Sequence, residues 1–252
     1  MTRHLLGYLL AAAAVTVAAQ QPLAPMSVAD PDIAVATIKA SDPAATDELF
    51  TIRGRHILTV NTPVLDLLKY AYGLNTRQII GLNENQLKGR FDIDAIADAP
   101  GIPSNLQMQA MVRKLLITRF HLAFHREQRE TAVFALTVSG TAPTMQKTRR
   151  SPESPTDFYG SGGVLNVNNA TMHDFATGLS RGLLDRPVID RTGLKDHYDF
   201  VLRWTFLNAT PAPNDPPDLA SAIREQLGLK LQSTRAPVEV LVIDTIQPPS
   251  EN

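Results

Sequence analysis

His121, His125 and Glu127 are side chains whose types suit metal binding or acid–base chemistry. On a strand, the four-residue step from His121 to His125 spans roughly 13 Å, so the two imidazoles cannot share one ion. No His-Glu-x-x-His pattern is present. His125 and Glu127 lie closer together, but Arg126, Arg129 and Glu130 surround them, which reads as a solvated charged edge with a structural role.

Asp190-Arg191-Thr192-Gly193, after Val188-Ile189, resembles the apolar-apolar-Asp-Thr-Gly loop of aspartic proteases. An arginine interrupts it, and the second aspartate, in Asp244-Thr245-Ile246, lacks the glycine. The dyad needs two carboxylates sharing a proton, which this pattern does not supply. A turn is the expected role, with Asp190 bonding the backbone ahead of it and Gly193 free to take positive φ. Ser139, Ser161 and Ser180 lack a Gly-x-Ser-x-Gly setting. Gly160-Ser161-Gly162-Gly163 has no Lys-Ser/Thr after it and opens no helix, unlike a phosphate loop. Asn169-Ala170-Thr171 and Asn208-Ala209-Thr210 fit a glycosylation pattern that matters only on a eukaryotic secretory route. Trp204, the single tryptophan, reads as a core or rim anchor, with a ligand platform as the alternative. These readings assign no catalytic, cofactor-binding or metal residue.

Composition narrows the classes further. The 252 residues contain no cysteine, which excludes disulfides, thiolate metal sites and a cysteine nucleophile. With 24 basic and 25 acidic side chains there is no basic excess to suggest nucleic acid. Residues 1–19 read as a secretory signal: Arg3 and His4, an uncharged apolar run, then Val17-Ala18-Ala19 ahead of a cut before Gln20. The run is short of the roughly 20 residues needed to span a bilayer, so no membrane span is expected after cleavage. The mature chain is expected to be secreted or periplasmic.

Residues 141–162 lack apolar periodicity and read as a linker between a first module, 20–140, and a second, 163–252. The first carries 12 basic and 12 acidic residues, the second 8 and 11. Their features recur in order. Ile57-Leu58-Thr59-Val60-Asn61 parallels Val164-Leu165-Asn166-Val167-Asn168. Each precedes a helical stripe, Val64, Leu67, Leu68, Ala71 and then Met172, Phe175, Ala176, Leu179. Thr62 with Pro63, and Thr171 with Asp174, are the expected helix starts, and Gly73 the first helix's stop. Leu87 to Ile93 matches Leu194 to Phe200, and helices at 106–118 and 219–227 follow. Each helix leads into two strands, at 120–125 and 133–138, and at 229–231 and 238–243. The expected class is therefore α+β, two tandem related modules of order β-α-β-β-α-β-β. Each is a small, mainly antiparallel sheet packed by two helices. Two unrelated α+β halves with generic patterns are the alternative.

Nine further stretches stand out: residues 33–39, Leu68-Lys69-Tyr70-Ala71-Tyr72-Gly73-Leu74, Gly89-Arg90-Phe91-Asp92-Ile93, Arg119-Phe120-His121-Leu122, His125-Arg126-Glu127, residues 186–194, Tyr198-Asp199-Phe200, residues 238–244 and Pro249-Ser250-Glu251-Asn252. Together they resemble an uncharacterised, soil-associated family of secreted bacterial proteins, a domain of unknown function expanded in acidobacteria. The family usually has Gly-Arg where this chain has Asp196-His197, and an aromatic-acidic pair opening its first strand that is absent here. The resemblance implies an exported protein, in some members joined to membrane metalloproteases of the antibiotic-sensor type. Residues 57–68 are also similar to the short N-terminal modules of secretins and TonB-dependent receptors. The expected function is a non-catalytic binding or sensing module. Its partner would be an envelope protein or sensor protease, recruited at exposed sheet edges, with no cofactor. The alternative is a secreted hydrolase drawing on Asp92, Asp190, Asp199, His125 or Glu127.

Overall fold

The computed structural model describes residues 24–140, 143–154, 156–206 and 215–249. The expected export signal and Asn208 lie outside the described residues. In chain order the first half contains β1 (Ile33–Ala40), β2 (Leu49–Arg53), β3 (His56–Pro63), α1 (Val64–Tyr72), β4 (Ile79–Ile80), α2 (Glu84–Lys88), β5 (Arg90–Ala97), α3 (Asn105–Arg119) and β6 (Ala123–Val138). The rest contains β7 (Gln146–Lys147), β8 (Asp157–Tyr159), β9 (Val164–Ala170), α4 (Met172–Gly182), β10 (Val188–Asp190), β11 (Tyr198–Arg203), α5 (Leu219–Leu227) and β12 (Leu229–Thr245). The protein is thus α+β. No helix among the described residues is long and apolar enough to cross a membrane.

Two outer sheets, ordered β1-β5-β3-β2 and β7-β11-β9-β8, flank a third ordered β10-β6-β12-β4. Within this third sheet β6 and β12 run antiparallel from Leu229↔Val138 to Thr245↔Ala123. Each carries a short parallel neighbour from the opposite half: Ile79 beside Leu241, and Val188 beside Phe134.

Two differences from the expected order follow. First, each expected closing pair of strands is one long strand. Alternation is broken in β6 by Arg126 to Glu130 and in β12 by Pro237, so the sequence reads as two pieces. Both stretches instead run on between the two larger cores, and Val133, Ala236, Val238 and Val240 beside them form a small buried cluster of their own. Pro237 pairs with Glu130 on one side only, because β4 reaches β12 at Leu241 and Val242 alone. A residue without an N–H fits such an open edge. Second, residues 141–162 include β7 and β8, the outer strands of a sheet.

The cores also cross the halves. One joins α1 and α3 (Leu67, Leu68, Met111, Leu116) to Ile38, Ile57 and Phe91, and adds Leu241 and Ile243 from β12. The other joins α4 and α5 (Phe175, Leu179, Ile223) to Tyr198 and Leu202, and adds Leu136 from β6. Side chains lock the halves further. Asn75 donates from its amide to the carbonyls of Ser180 at 2.6 Å and Leu184 at 3.1 Å. Arg77 donates to the Asp185 carbonyl at 2.7 Å.

Local signals account for the helices. Thr171 and Asp174 form the expected capping box on α4, and Gly73 ends α1 in a left-handed conformation. Thr62 does not cap α1. It still lies in β3, and its hydroxyl donates to the Leu49 carbonyl at 3.1 Å, so Pro63 takes the cap position without a side-chain bond.

Candidate functional site

The carboxylates singled out by type are held at separate places. Asp92 on β5 accepts from the Asn61 N–H at 2.9 Å and the Ser41 hydroxyl at 2.7 Å. The Asn61 bond is the largest influence drawing its pKa below the usual carboxylate value, followed by Ser41 and Lys39. Asp199 on β11 accepts from the Asn169 N–H at 2.8 Å. Asn61 and Asn169 both have positive φ, 50° and 53°, at the ends of β3 and β9. Each side-chain amide then ties a loop: Asn61 to Ala45, and Asn169 to Ser151 and Ser154. In both halves, then, an aspartate holds a left-handed asparagine at the strand-to-helix turn. The glycosylation candidate Asn169 is wholly buried by this arrangement.

Asp190 forms the expected turn, accepting from the Thr192 N–H at 2.8 Å and hydroxyl at 2.7 Å. It pairs with Leu136, whereas Asp244 lies near Phe124 at the other end of β6, roughly 40 Å away along the strand. Ser180 is buried; its hydroxyl donates to Ala176 and accepts from the Val188 N–H. His121 sits in the turn between α3 and β6, with φ 50°, rather than in a strand. Among the described residues no group of three or more His, Asp or Glu is placed to hold one metal ion.

One expected pair does meet. His125 Nε2 lies 3.0 Å from Glu127 Oε1, and His125 Nδ1 lies 2.9 Å from Asp244 Oδ1. Both carboxylates accept, so both ring nitrogens must donate, which only the imidazolium does. The bond to Glu127, then that to Asp244, raises the His125 pKa above its usual value. For a raised pKa, the stabilisation is fully present below the unfolded histidine value. It is lost as pH rises through the folded one. An NMR titration of the His125 ring is expected to give a midpoint above 6.5, and Glu127→Gln with Asp244→Asn to bring it back. A midpoint at or below the ordinary value would show that the pairs do not form in solution.

A broad concavity lies elsewhere, between the outer sheets. It is a cleft of about 1020 Å³ whose lining comes from both halves. On one side are Leu49 and Phe50 of β2 with Tyr70 of α1; on the other are Phe158 and Tyr159 of β8, Trp204 and Phe206. β2 and β8 are the end strands of their sheets, so each presents an unpaired edge beside the cleft. Phe158, Tyr159 and Phe206 are the strongly exposed aromatics among the described residues, and all three line it.

The walls are set by packing. Phe50 and Tyr70 pack with ring centres 4.8 Å apart. Burial pushes the Tyr70 hydroxyl up to about 12 against the opposing charge of Arg181, so it is a neutral group donating to Asn105 Oδ1. Trp204 is 7% exposed and stands edge-on to Phe206. The Trp204 backbone N–H donates to the Gly163 carbonyl at 2.8 Å. Gly163 has φ 81°, and a Cβ there would come 2.1 Å from the Trp204 carbonyl oxygen, so the close approach requires glycine. The glycine run therefore seats Trp204. Phe158 in turn covers Gly178 of α4, where a Cβ would meet its ring at 3.3 Å.

Sequence reading missed this site because its aromatics come from separate elements. The available signal was Asp157-Phe158-Tyr159 running into the glycines, two aromatics in an otherwise polar segment. A family model described as a protein of unknown function, DUF3738, matches residues 65–246. No curated protein and no solved structure matches the chain.

Proposed function

We propose, from the premise that this chain belongs to the DUF3738 family, that it is a non-catalytic exported binding or sensing module whose cleft holds an extended segment of a partner protein. The observation that carries this reading is the gathering of Phe158, Tyr159 and Phe206 in one cleft bordered by two unpaired sheet edges. An edge offers main-chain donors and acceptors in strand register, and exposed rings offer apolar contact to alternate side chains of an added strand. An envelope protein or sensor protease is the partner class, in a secreted or periplasmic setting. Export rests on the signal pattern of residues 1–19.

The two halves are read as tandem related modules. What supports this is the matching order of the outer sheets and the shared asparagine–aspartate turn. A soil-associated, acidobacterial origin rests on the sequence resemblance alone. A secreted hydrolase would draw on Asp92, Asp190, Asp199, His125 or Glu127. Each of the first three is engaged by its own turn, which favours binding over chemistry.

The test is selection of random eight-residue peptides on the immobilised protein. Recovered peptides are expected to be rich in β-formers, and Phe158→Ser with Tyr159→Ser to weaken their binding at least roughly tenfold, about 1.4 kcal/mol. The unfolding midpoint of the double variant is expected to fall modestly, because Phe158 also covers Gly178, whereas Tyr159→Ser alone, at the more exposed ring, is expected to keep the parent's midpoint and still weaken binding. Recovery of no peptide, or equal binding by the variant, would contradict the proposal.

A further inference from the structure

Arg181, near the C-terminus of α4, lines the same cleft. The other charged side chains there have partners of opposite sign. Asp66 meets Lys69 at 2.8 Å, Asp157 meets Arg150 at 3.2 Å, and Glu48 meets Arg90. Arg181 makes no hydrogen bond or ion pair with any described residue. Asp174, one helical stretch back, is the carboxylate whose field reaches it, but that group is already engaged by the Thr171 N–H and hydroxyl.

The guanidinium crosses from one half to the other. Its Nη1 lies 3.6 Å from where a side chain on Gly73 would begin, at the end of α1. It is partly buried and has lost much of its water; that loss pulls its pKa below the ordinary arginine value. A desolvated cation without a partner is costly, and it offers a strong, forked site to an incoming anion. Aromatic walls exclude water and strengthen such a contact.

We propose that the cleft selects extended peptide segments that carry a carboxylate, with Arg181 as the group that receives it. This rests on the binding role proposed above and names its ligand chemistry. The carboxylate fits the fork by two parallel N–H···O bonds, while the chain on either side of it runs along the edge of β8. Its source is either a free C-terminus or an aspartate or glutamate side chain.

The test uses random eight-residue peptides presented in two formats, one ending in a free carboxylate and one in an amide. Binding is read by the fluorescence of Trp204, the single tryptophan, which lines the cleft. Enrichment of the free-carboxylate format assigns a C-terminus; enrichment of Asp or Glu within amidated peptides assigns a side chain. Converting that carboxylate to its amide is expected to weaken binding at least roughly tenfold. Arg181→Met is expected to erase the difference between the two forms, and Arg181→Lys, which keeps charge but not the fork, to retain part of it. The amide comparison on the unaltered protein reads the same preference if the methionine variant fails to fold. Peptides recovered without any carboxylate preference would overturn this inference and leave the binding role standing. Recovery of none would overturn both. A dimer formed through the cleft, read by sedimentation and lost on Arg181→Met, would give the site to a second copy and overturn it too.

Discussion

Replacing Phe175 with alanine is expected to destabilise the chain by about 3–5 kcal/mol and to do so in one transition. Phe175 of α4 is wholly buried, with its ring edge-on to Phe200 at 5.0 Å between centres. Its core cluster also includes Leu136 from β6, a strand of the other half. Loosening this core therefore loosens β6, and with β6 the pairing to β12 that supplies Leu241 and Ile243 to the first core. Urea unfolding should be followed by Trp204 fluorescence, which reports the second half, and by circular dichroism, to which both halves contribute. Coincident curves with a lowered midpoint are expected. Two separated transitions would contradict a shared central sheet.

Asn169→Ala is expected to cost about 2–4 kcal/mol, from two sources. Alanine at a φ of 53° carries left-handed strain of roughly 1–2 kcal/mol. Loss of the amide leaves the Ser151 and Ser154 carbonyls without its bonds, at 3.1 and 2.6 Å, and adds a similar amount. Asn169→Gly removes the second source's bonds but not the backbone freedom, so it should recover the strain portion alone. Urea midpoints for the pair separate the two. If glycine and alanine behaved alike, the left-handed turn would not contribute.

These two residues mark what could be read in advance. Phe175 stands in a helical stripe with Met172, Ala176 and Leu179, and α4 follows from that spacing. Helix α5 begins and ends where its Asp218 cap and Gly228 place it. Asn169 gave no such signal, because positive φ at an asparagine depends on an aspartate thirty residues away. The same limit applied to β2 and β8. An edge strand has one neighbour and little burial, so Leu49–Arg53 and Asp157–Tyr159 carry no strong alternation. The long strands read as pieces because Arg126 to Glu130 in β6 and Pro237 in β12 interrupt the apolar alternation, although Val133, Ala236, Val238 and Val240 beside them are buried. Trp204 was legible as an anchor, and it is one; its place in the cleft depended on Gly163. Arg181 carries no distinguishing local signal: it is a basic residue in the last turn of a helix, a common position for one. Its lack of a partner among the described residues is a property of the assembled halves, and no local pattern encodes it.

The binding account turns on what an occupant does to the edge of β8. Hydrogen–deuterium exchange of the whole protein, with and without a saturating peptide recovered by selection, measures this directly. The account predicts slowed exchange in the segment carrying Asp157, Phe158 and Tyr159 and in the segment carrying Trp204, with the exchange of β6 and β12 unchanged. Protection confined to another surface, or none at saturation, would contradict it.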